Sequence, residues 1–511
     1  MKMLTLRIRA RVVGHFYIIG KKAIFHFRRV RMRKTKIIAT IGPRSSDYDM
    51  LKKMVSSGMD VVRLNFSHGD PEDHQAVFER IRSIAQESGR YIGIMIDLQG
   101  PKIRIGRFES GSIELKQGQR FIIDHKRQAL GDQSGVSVDY DRLHLDVKVR
   151  DFLLLNDGLI SVKVVAIEGT SVITECVVGG ELSSSKGINV SGGGLSASAL
   201  TEKDIQDLKF GCQLGADYIA LSFVKNAQDI EQARHLIHQQ GSDAGVIAKI
   251  ERKEALEQLD SIIESSDGVM VARGDLALEI GDAQVPVVQK QIVQKARFHM
   301  KPVIIATQMM ESMIINTAPT RAETSDVANA IIDGCDAVML SAETAIGKHP
   351  HEVINVMAKV CLTVERSIWW DRDFKDQREE SVREMSHASA IAVCAAQMAL
   401  LKNISAVVSV TESGTTALHI SRFRVHMPIF GVCGNLQGLG KMTLYRGVRP
   451  VYFDYNQLKN YELADRVLEK LVDEQYILSK DHVIMTKGDV IGQKGATNSI
   501  KVISLDQRHA L

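Results

Sequence analysis

The sequence predicts an α/β protein built on a (β/α)8 TIM barrel, with a small all-β domain inserted into the barrel and a C-terminal α/β domain after it. Eight short β-rich runs end in polar residues, and a segment with helical periodicity follows each one. This rhythm stops between residues 102 and about 197, where short alternating strands and turn signals replace it. Eight buried parallel strands with intervening helices fit a barrel whose active site lies at the carboxyl ends of its strands.

The barrel strands are predicted from three runs before the interruption and five after it. The runs are IIATIGP (37–43), VVRLNFSH (61–68), IGIMIDLQG (92–100), YIALSFVK (218–225), VIAKIER (246–252), GVMVARGD (268–275), PVIIATQMM (302–310) and AVMLSAET (337–344). Amphipathic segments such as DYDMLKKMVSSG separate them, as βα units require. The barrel is therefore assigned residues 32–101 and 198–365.

The inserted domain is predicted to span residues 102–197. Its strands include RFIID, VSVDY, LLLNDGLISVKVV and SVITECVV, and Asn156-Asp157-Gly158 is a hairpin signal. The glycines of Ser191-Gly192-Gly193-Gly194 suggest a hinge that returns the chain to the barrel. Because no GxGxxG or GxxxxGK[ST] motif is present, a nucleotide would not be held by a Walker-type loop. Thr201 and Asp204 then form a plausible capping box for the helix that re-enters the barrel.

The C-terminal domain is predicted to span residues 366–511, after a charged connector. Its strand AVVSV (406–410) leads into TESGTTALHISR, which places a turn rich in Ser, Gly and Thr before a helix. The first amides of a helix are unpaired and favour an anion, so this turn is either an anion site or an ordinary helix cap. The pattern alone does not separate these two readings.

The composition is that of an ordinary globular protein, with 44% hydrophobic and 25% charged residues. Residues 1–31 hold nine Lys and Arg and no acid, so the net charge of +4 becomes −5 once they are set aside. This basic extension resembles a transit peptide or a nucleic-acid-binding arm, but a disordered extension or an upstream start is the simpler interpretation. The mildly acidic body gives no argument for nucleic-acid binding, and no apolar run approaches the roughly 18 residues that span a bilayer.

The six cysteines are scattered without CxxC or Cys/His ligand spacing. They are predicted to be buried thiols in a reducing compartment, which favours the cytoplasm. They are Cys176, Cys212, Cys335, Cys361, Cys394 and Cys433.

Two carboxylates are predicted at neighbouring strand ends of the barrel. The fifth run ends with Lys249 and Glu251, which lie on one face of the strand, and the sixth ends with Asp275. Two carboxylates suit Mg²⁺, which takes few protein oxygens and keeps water or substrate oxygens for the rest. A surface salt bridge is the alternative for any one of these residues, but their combination favours a site.

The other strand ends add more polar side chains. They are Arg63, Asn65 and Ser67, then Asp97 and Arg104, then Thr307, and finally Ser341 and Glu343. The set is rich in cations and able to bind metal, and it contains no Ser-His-Asp or Cys-His arrangement. It suits phosphoryl transfer, and equally a metal-stabilised enolate without a nucleotide. Residue types alone do not decide between these reactions.

The sequence resembles the pyruvate kinase family from about Arg33 to its C-terminus. The blocks that carry the resemblance are RKTKIIATIGP, VVRLNFSHG, DLQGPKIR, LTEKDIQDLKFG, IALSFVK, AKIER, VARGDLALEI, ATQMMESMI, PTRAETSDVANAI and DAVMLSAETAIGKHP. The resemblance implies transfer of the phosphoryl group of phosphoenolpyruvate to ADP, giving pyruvate and ATP in glycolysis. Ala277 stands where the family usually has Gly, a departure expected to matter little.

The resemblance also implies roles for individual residues. Glu251 and Asp275 would hold Mg²⁺ or Mn²⁺. Phosphoenolpyruvate and its reaction would be handled by Arg63, Lys249, Ala272, Arg273, Gly274, Thr307 and Ser341. Within this set, Lys249 and Arg63 would contact the phosphoryl group, and the backbone at 272–274 would hold the carboxylate. Thr307 would sit beside the enolate carbon and Ser341 on the proton route. ADP or ATP would be bound by Asn65, His68, Arg104 and Lys186, with the inserted domain closing as a lid.

A homotetramer and an effector site in the C-terminal domain are further implications of the resemblance. The predicted effector residues are Thr411, Ser413, Gly414, Thr415 and Thr416. Members activated by a sugar bisphosphate often carry a basic residue at the position of Thr415. The C-terminal stretches LYRGVRPVYFD and MTKGDVIGQKGATNSI look more like the bacterial branch that responds to AMP or sugar monophosphates.

The stretch IMIDLQGPKIRIG resembles the K⁺-independent version of the family. K⁺-requiring members tend to differ at four positions, which here are Leu98, Gln99, Lys102 and Ile105. The Lys102 ammonium could occupy the place of a monovalent cation near Asn65, Ser67, Asp97 and Leu98. We therefore expect no K⁺ requirement, with Arg104 left to meet the nucleotide phosphates.

Two other classes compete with this interpretation. A metal-dependent lyase or aldolase could use the same centre without a nucleotide, although it gives no reason for the basic inserted domain. A catalytically silent paralogue is the third class, but the residues expected of an active enzyme are all present. Pyruvate formation with and without ADP separates the three.

Overall fold

The computed structural model describes residues 32–367, 386–401, 403–455, 458–490 and 492–506. The basic extension 1–31 and most of the predicted connector lie outside these residues. The described chain divides into two compact units. One comprises residues 38–84 and 93–353, and the other comprises residues up to 37, 85–92 and 354 onward. Strands and helices are numbered below in chain order.

Eight parallel strands close into a barrel in the order β1-β16-β15-β14-β13-β12-β3-β2, as predicted. Each strand is shorter than its run in the sequence, because the polar tail of the run leaves the sheet and enters the following loop. The strands are β1 (Lys36–Thr40), β2 (Val61–Asn65), β3 (Gly93–Asp97), β12 (Tyr218–Leu221), β13 (Gly245–Ile250), β14 (Gly268–Ala272), β15 (Val303–Ala306) and β16 (Ala337–Leu340).

Helices follow the barrel strands along the chain. They are α1 (Tyr48–Ser57), α2 (Pro71–Ser88), α4 (Glu202–Leu214), α5 (Ala227–Gln239), α6 (Lys253–Glu257), α7 (Leu259–Ser265), α8 (Arg273–Ile280), α9 (Val285–Phe298), α10 (Arg321–Asp333), α11 (Ala342–Ala345) and α12 (Pro350–Val364), with a 3-10 turn at Glu311–Ile314. The capping box predicted at Thr201 and Asp204 is present at the start of α4. Asp204 also accepts the Gly100 amide at 3.0 Å, which fixes the chain where it leaves the barrel.

The inserted domain is an all-β structure, as predicted. A six-stranded sheet has the order β11-β7-β8-β9-β5-β6, and β10 pairs with β4. Its elements are β4 (Ser112–Leu115), β5 (Arg120–Asp124), β6 (Gly135–Val136), α3 (Leu143–Asp146), β7 (Phe152–Leu155), β8 (Ile160–Glu168), β9 (Ser171–Val178), β10 (Gly180–Ser183) and β11 (Ile188–Val190). The predicted hairpin joins β7 to β8, and Asn156 and Asp157 both take positive φ there.

The return segment after the inserted domain is built from left-handed glycines. Gly192, Gly193 and Gly194 have φ of 93°, 82° and 107°, a region that side chains with a Cβ rarely adopt. The Gly194 amide donates to Glu254 Oε1 at 2.6 Å, and the Arg252 guanidinium donates to the Leu195 carbonyl at 2.9 Å. The loop that follows β13 therefore holds the return segment against the barrel.

The second unit contains a five-stranded sheet in the order β19-β18-β17-β20-β21. All neighbouring strands are parallel except β20 and β21, so this is the predicted α/β domain. Its elements are α13 (His387–Leu401), β17 (Ala406–Val410), α14 (Thr415–Arg422), β18 (Ile429–Cys433), α15 (Leu436–Met442), β19 (Val448–Tyr452), α16 (Asn460–Asp473), β20 (His482–Gly488) and β21 (Thr497–Ser504).

The cysteine prediction holds for five residues and is wrong for one. Cys394 is exposed, whereas the other five are buried, and all six are free thiols. Cys394 lies on α13, whose sequence HASAIAVCAAQMALL is apolar on every face, so periodicity could not identify its exposed side. Within the described part of the chain, no helix is long and apolar enough to cross a membrane.

Candidate functional site

The carboxyl ends of the barrel strands bring four predicted residues into one buried charge cluster. Lys249 of β13 places its ammonium 3.1 Å from Asp97 Oδ1 and 2.9 Å from Glu251 Oε1. The same ammonium donates to Ser222 Oγ at 2.6 Å. Arg63 of β2 donates from Nε to Asp97 Oδ2 at 2.7 Å. Parallel barrel strands place these side chains together, although 34 to 188 positions separate Arg63 from the other charged members.

The cluster keeps Lys249 charged. Burial by itself lowers the pKa of an ammonium, but the charges of Asp97 and Glu251 outweigh it, so the pKa of Lys249 is raised. Burial alone would likewise raise the pKa of the Asp97 carboxyl, but Lys249 and Arg63 bring this pKa below its usual value. A buried, fully protonated Lys beside an ionised Asp gives a fixed positive charge in a place of low dielectric, where it acts strongly on a nearby anion.

The cations at Asp97 come from strands β2 and β13. Arg63 and Lys249 pair with it, and no carboxylate of the described residues lies within 4.0 Å of the Lys102 ammonium. Arg104 points to the inserted domain, where Nη1 donates to the Ser185 carbonyl at 3.2 Å. The expected role of Lys102 as a tethered cation near Asp97 stays a prediction.

Glu251 and Asp275 fit a divalent cation. Glu251 Oε2 accepts the Phe223 amide at 2.7 Å, and the buried Oε1 lies 2.9 Å from the Lys249 ammonium. Burial raises the pKa of Glu251, the Lys249 charge opposes the rise and the Asp275 charge adds to it. A divalent cation bound by both acids would relieve the repulsion between Glu251 and Asp275. No group of three His, Cys, Asp or Glu suited to holding a metal occurs among the described residues. Mg²⁺ is commonly bound through one or two carboxylates, with substrate oxygens and water as its other ligands.

The start of α8 lies directly after β14 and faces Thr307. Ala272 is the last residue of β14, and α8 begins at Arg273 and Gly274. The Gly274 amide donates to Thr307 Oγ1 at 2.9 Å. Amides of a first helical turn favour an anionic group, so this place suits a carboxylate.

Ser341 lies before α11, and Glu343 fixes the backbone there. The Ser341 amide donates to Glu343 Oε2 at 2.7 Å, and the Met310 amide donates to Oε1 at 3.1 Å. No hydrogen bond within the described residues joins Ser341 to the Lys249 cluster. The structure thus places Ser341 at a strand end, as predicted, without linking it directly to that cluster.

The predicted nucleotide residues fall into two groups. Asn65 ends β2, and its Oδ1 accepts the Ser67 amide at 3.2 Å, with the exposed His68 next in the same turn. Arg104 and Lys186 lie together in the inserted domain, because the Ile105 amide donates to the Lys186 carbonyl at 2.9 Å. Leu98 is buried beside Asp97.

Three residues near the site were missed by sequence reasoning. Ser222 contacts the Lys249 ammonium, Asp326 binds the Arg273 guanidinium and Glu254 holds the return segment. Ser222 is the first polar residue after the apolar part of the predicted run 218–225, so its position could have identified it. Asp326 lies inside a helix, and no local signal distinguishes it from a surface acid.

The predicted effector turn lines a cavity in the second unit. Thr411 Oγ1 accepts the Gly414 amide at 3.1 Å, Ser413 and Thr415 share a hydrogen bond of 2.8 Å, and Thr416 bonds to Thr497 at 2.8 Å. No described residue lining the cavity is Lys or Arg. Glu412 lines it and accepts the Tyr455 hydroxyl at 2.5 Å.

Comparisons with known proteins agree with this architecture. The family models for the pyruvate kinase barrel domain and for the pyruvate kinase alpha/beta domain match residues 32–354 and 389–503. Pyruvate kinase II of Salmonella typhimurium is 45% identical over 483 residues, covering 93% of this chain and 99% of that protein. Pyruvate kinase of Thermotoga maritima is 39% identical over 475 residues, covering 93% of this chain and 100% of that protein.

A solved structure shares this architecture. The crystal structure of a pyruvate kinase from Cryptosporidium parvum superposes with a TM-score of 0.88 at 34% identity, covering 94% of this chain and 97% of that one. The matches span both units of the fold and the strand ends that carry Lys249, Glu251 and Asp275. The chain belongs to the pyruvate kinase family.

Proposed function

We propose that this chain transfers the phosphoryl group of phosphoenolpyruvate to ADP, giving pyruvate and ATP. The observation that carries the proposal is the buried Lys249 ammonium between Asp97 and Glu251, beside the acid pair Glu251 and Asp275. Phosphoryl transfer needs positioning and charge neutralisation more than covalent chemistry, and this cluster provides both.

In the reaction, the bond between phosphorus and the enol oxygen breaks, and a bond from phosphorus to a β-phosphate oxygen of ADP forms. Lys249 is placed to neutralise the phosphoryl group during transfer, and Arg63 to hold its oxygens. The backbone at residues 272–274 would hold the substrate carboxylate. When bound by Glu251 and Asp275, Mg²⁺ or Mn²⁺ supplies charge neutralisation for carboxylate and phosphoryl oxygens.

The enolate left by the transfer takes one proton at its methylene carbon and becomes pyruvate. Thr307 would lie beside this carbon, and Ser341 is the candidate for the proton route from solvent. ADP would be held between the turn at Asn65 and His68 and the basic side chains of Arg104 and Lys186. The grouping of Arg104 and Lys186 in the inserted domain supports a lid role for that domain.

The test is an assay of pyruvate and ATP with Mg²⁺ and phosphoenolpyruvate, with and without ADP. We expect pyruvate and ATP in equal amounts only when ADP is present. Pyruvate without ADP would support the lyase alternative, and no pyruvate in either mixture would support a silent paralogue.

We also propose that the enzyme needs no K⁺, because Lys102 supplies a tethered cation near Asn65, Ser67 and Asp97. Lys102 makes no ion pair with a described carboxylate, so its charge is available to the substrate-bound site. Wild type should keep near-full activity when tetramethylammonium is the only monovalent cation, and Lys102→Glu should require K⁺. Strict K⁺ dependence of the wild type would reject the idea.

The effector is proposed to be AMP or a sugar monophosphate, bound at Thr411, Ser413, Gly414, Thr415 and Thr416. The cavity offers hydroxyl groups and the start of α14 for one phosphate, whereas Glu412 would repel a second. Titration of phosphoenolpyruvate saturation with each monophosphate and with a sugar bisphosphate tests this. Ser413→Asp should abolish the response and leave the effector-free rate unchanged. No response to either monophosphate would refute it.

A homotetramer is the proposed assembly, on the strength of family membership. Sedimentation equilibrium of the full chain should give about four times the monomer mass of 56.6 kDa. A stable monomer or dimer at micromolar concentration would contradict it.

A further inference from the structure

The backbone after β15 is held in an unfavourable conformation at Thr307. Thr307 has φ of 67° and Gln308 has φ of 53°, both in the left-handed region. A β-branched residue such as Thr is rare there, and such a conformation persists only when its surroundings impose it. The side chain that supplies these surroundings is that of Arg273.

The Arg273 guanidinium binds the strained segment on one side. Nη2 donates to the Thr307 carbonyl at 2.6 Å and to the Gln308 carbonyl at 3.2 Å, and it lies 2.9 Å from Met309 Sδ. Nε donates to the Ala306 carbonyl at 3.3 Å. Arg273 is only 8% exposed, so water competes little for these contacts.

On its other side the guanidinium is held by Asp326 of α10. Nη1 lies 2.9 Å from Oδ1 and 2.7 Å from Oδ2, so one nitrogen contacts both carboxylate oxygens. A buried guanidinium needs an opposing charge, which Asp326 provides. Because the guanidinium group is planar and rigid, its contact with Asp326 also fixes the direction in which its other nitrogens reach the carbonyls. Asp326 thereby ties the helix that follows β15 to the loop that carries Thr307.

The Thr307 hydroxyl is oriented by the same arrangement. The hydroxyl accepts a hydrogen bond from the Gly274 amide at 2.9 Å and donates its own to the Ala306 carbonyl at 2.6 Å. Gly274 follows Arg273 directly in the chain, and the Ala306 carbonyl also accepts a hydrogen bond from Arg273 Nε. The direction of the hydroxyl therefore depends on the backbone that Arg273 holds.

We propose that Arg273, anchored by Asp326, is the positioning residue that sets Thr307 for proton transfer to the enolate carbon. This rests on the proposed function. Only proton transfer at carbon should depend on it strongly, because the groups assigned to the phosphoryl oxygens, Lys249 and Arg63, make none of these contacts.

The test uses Asp326→Asn and Arg273→Lys. Asp326 is 38% exposed, so Asp326→Asn should fold, and Arg273→Lys keeps the charge without the fork. Arg234→Lys is the matched control. Arg234 pairs with Asp267 at 3.0 Å, and Asp267 lies just before β14, whereas Arg273 lies just after the other end of this strand. Circular dichroism and thermal melting establish folding of each variant.

Two rates are compared in each variant. One is phosphoryl transfer to ADP, and the other is deuterium exchange into the pyruvate methyl group in D₂O with Mg²⁺ and ATP, followed by proton NMR. In exchange, a methyl C–H bond breaks, the enolate forms, and a solvent deuteron returns to the same carbon. A displacement of about 1 Å can cost on the order of 100-fold, so we expect exchange to fall at least about tenfold.

We expect the KM for phosphoenolpyruvate to change less than about threefold and the ratio of exchange to transfer to fall in both variants, but not in Arg234→Lys. An unchanged ratio in the folded variants, or an equal fall in the control, would overturn the proposal. Wild type that forms no pyruvate would instead refute the proposed function.

Discussion

Glu279, at the end of α8, should make the stability of the barrel unit depend on pH near neutrality. Its side chain accepts the Lys253 amide at 2.7 Å, and its backbone carbonyl accepts the Gly192 amide at 3.2 Å in the return segment. Burial raises the pKa of Glu279 to about 7, with the charges of Glu254 and Glu251 adding to the rise and the Lys253 amide and Arg252 opposing it. The perturbation is Glu279→Gln, which keeps the acceptor oxygen and removes the charge.

The direction in which stability changes with pH follows from the raised pKa. Because the folded-state pKa of about 7 exceeds the usual value of 4.5, the folded state binds the proton more tightly than the unfolded chain. Glu279 therefore favours folding below about pH 4.5, and this contribution is lost as the pH rises to 7. At about 1.4 kcal/mol for each pKa unit, wild type should lose about 2.5 kcal/mol relative to Glu279→Gln between pH 5 and pH 9.

The assay is thermal unfolding of both proteins from pH 5 to pH 9 in EDTA, because a cation at Glu251 would cancel part of the charge that raises the pKa. We expect the melting temperature of Glu279→Gln to rise above that of wild type by a few degrees as pH increases. Glu257→Gln, which alters an exposed acid on α6, is the control and should follow wild type. A constant difference between Glu279→Gln and wild type across this pH range would refute the reasoning.

Three further predictions concern single side chains. Lys249→Met should lower turnover at least about 1,000-fold and keep phosphoenolpyruvate binding, because its charge is needed most in the transition state; retained activity in a steady-state assay contradicts this. Gly193→Ala should lower the free energy of unfolding by about 1–3 kcal/mol, because the added Cβ would lie 2.9 Å from both carboxylate oxygens of Glu254. Gly111→Ala, whose Cβ meets nothing within 4 Å, is the control in urea unfolding, and equal losses would show that the contact is unimportant. Glu365→Gln should lower the free energy of unfolding by about 1–2 kcal/mol, because the Glu365 carboxylate accepts hydrogen bonds from two backbone amides and a threonine hydroxyl at the start of the described chain. An unchanged midpoint of urea unfolding would contradict this prediction.

The barrel was predictable because its signals are local. Each buried strand is a short apolar run that ends in polar residues, and each capping or turn signal acts over three or four positions. The Thr201 capping box and the Asn156 hairpin were both found from such signals. Strand ends were less well defined, because an apolar residue continues a run in the sequence whether or not its backbone pairs. The exposed Cys394 was missed because its helix lacks a polar face.

The candidate site was predictable as a set of residues but not as a set of pairs. The rule that parallel strands end at one edge brought Arg63, Asp97, Lys249 and Glu251 together correctly. It did not say which cation meets which acid, and the structure shows that Arg63 and Lys249 pair with Asp97. Nearness along the chain was a poor guide, because these two residues lie 34 and 152 positions from Asp97.

By itself the sequence determined the fold class, the order of the domains and the residues at the strand ends, since periodicity and turn chemistry act over a few positions. The family resemblance added the expected reaction. Only the tertiary structure decided that Lys249 lies between Asp97 and Glu251, that the half-buried Glu279 lies beside other acids, and that Asp326 supports Thr307 through Arg273. These contacts join residues from 2 to 152 positions apart. Their energies depend on distance and burial in space, which sequence spacing does not encode.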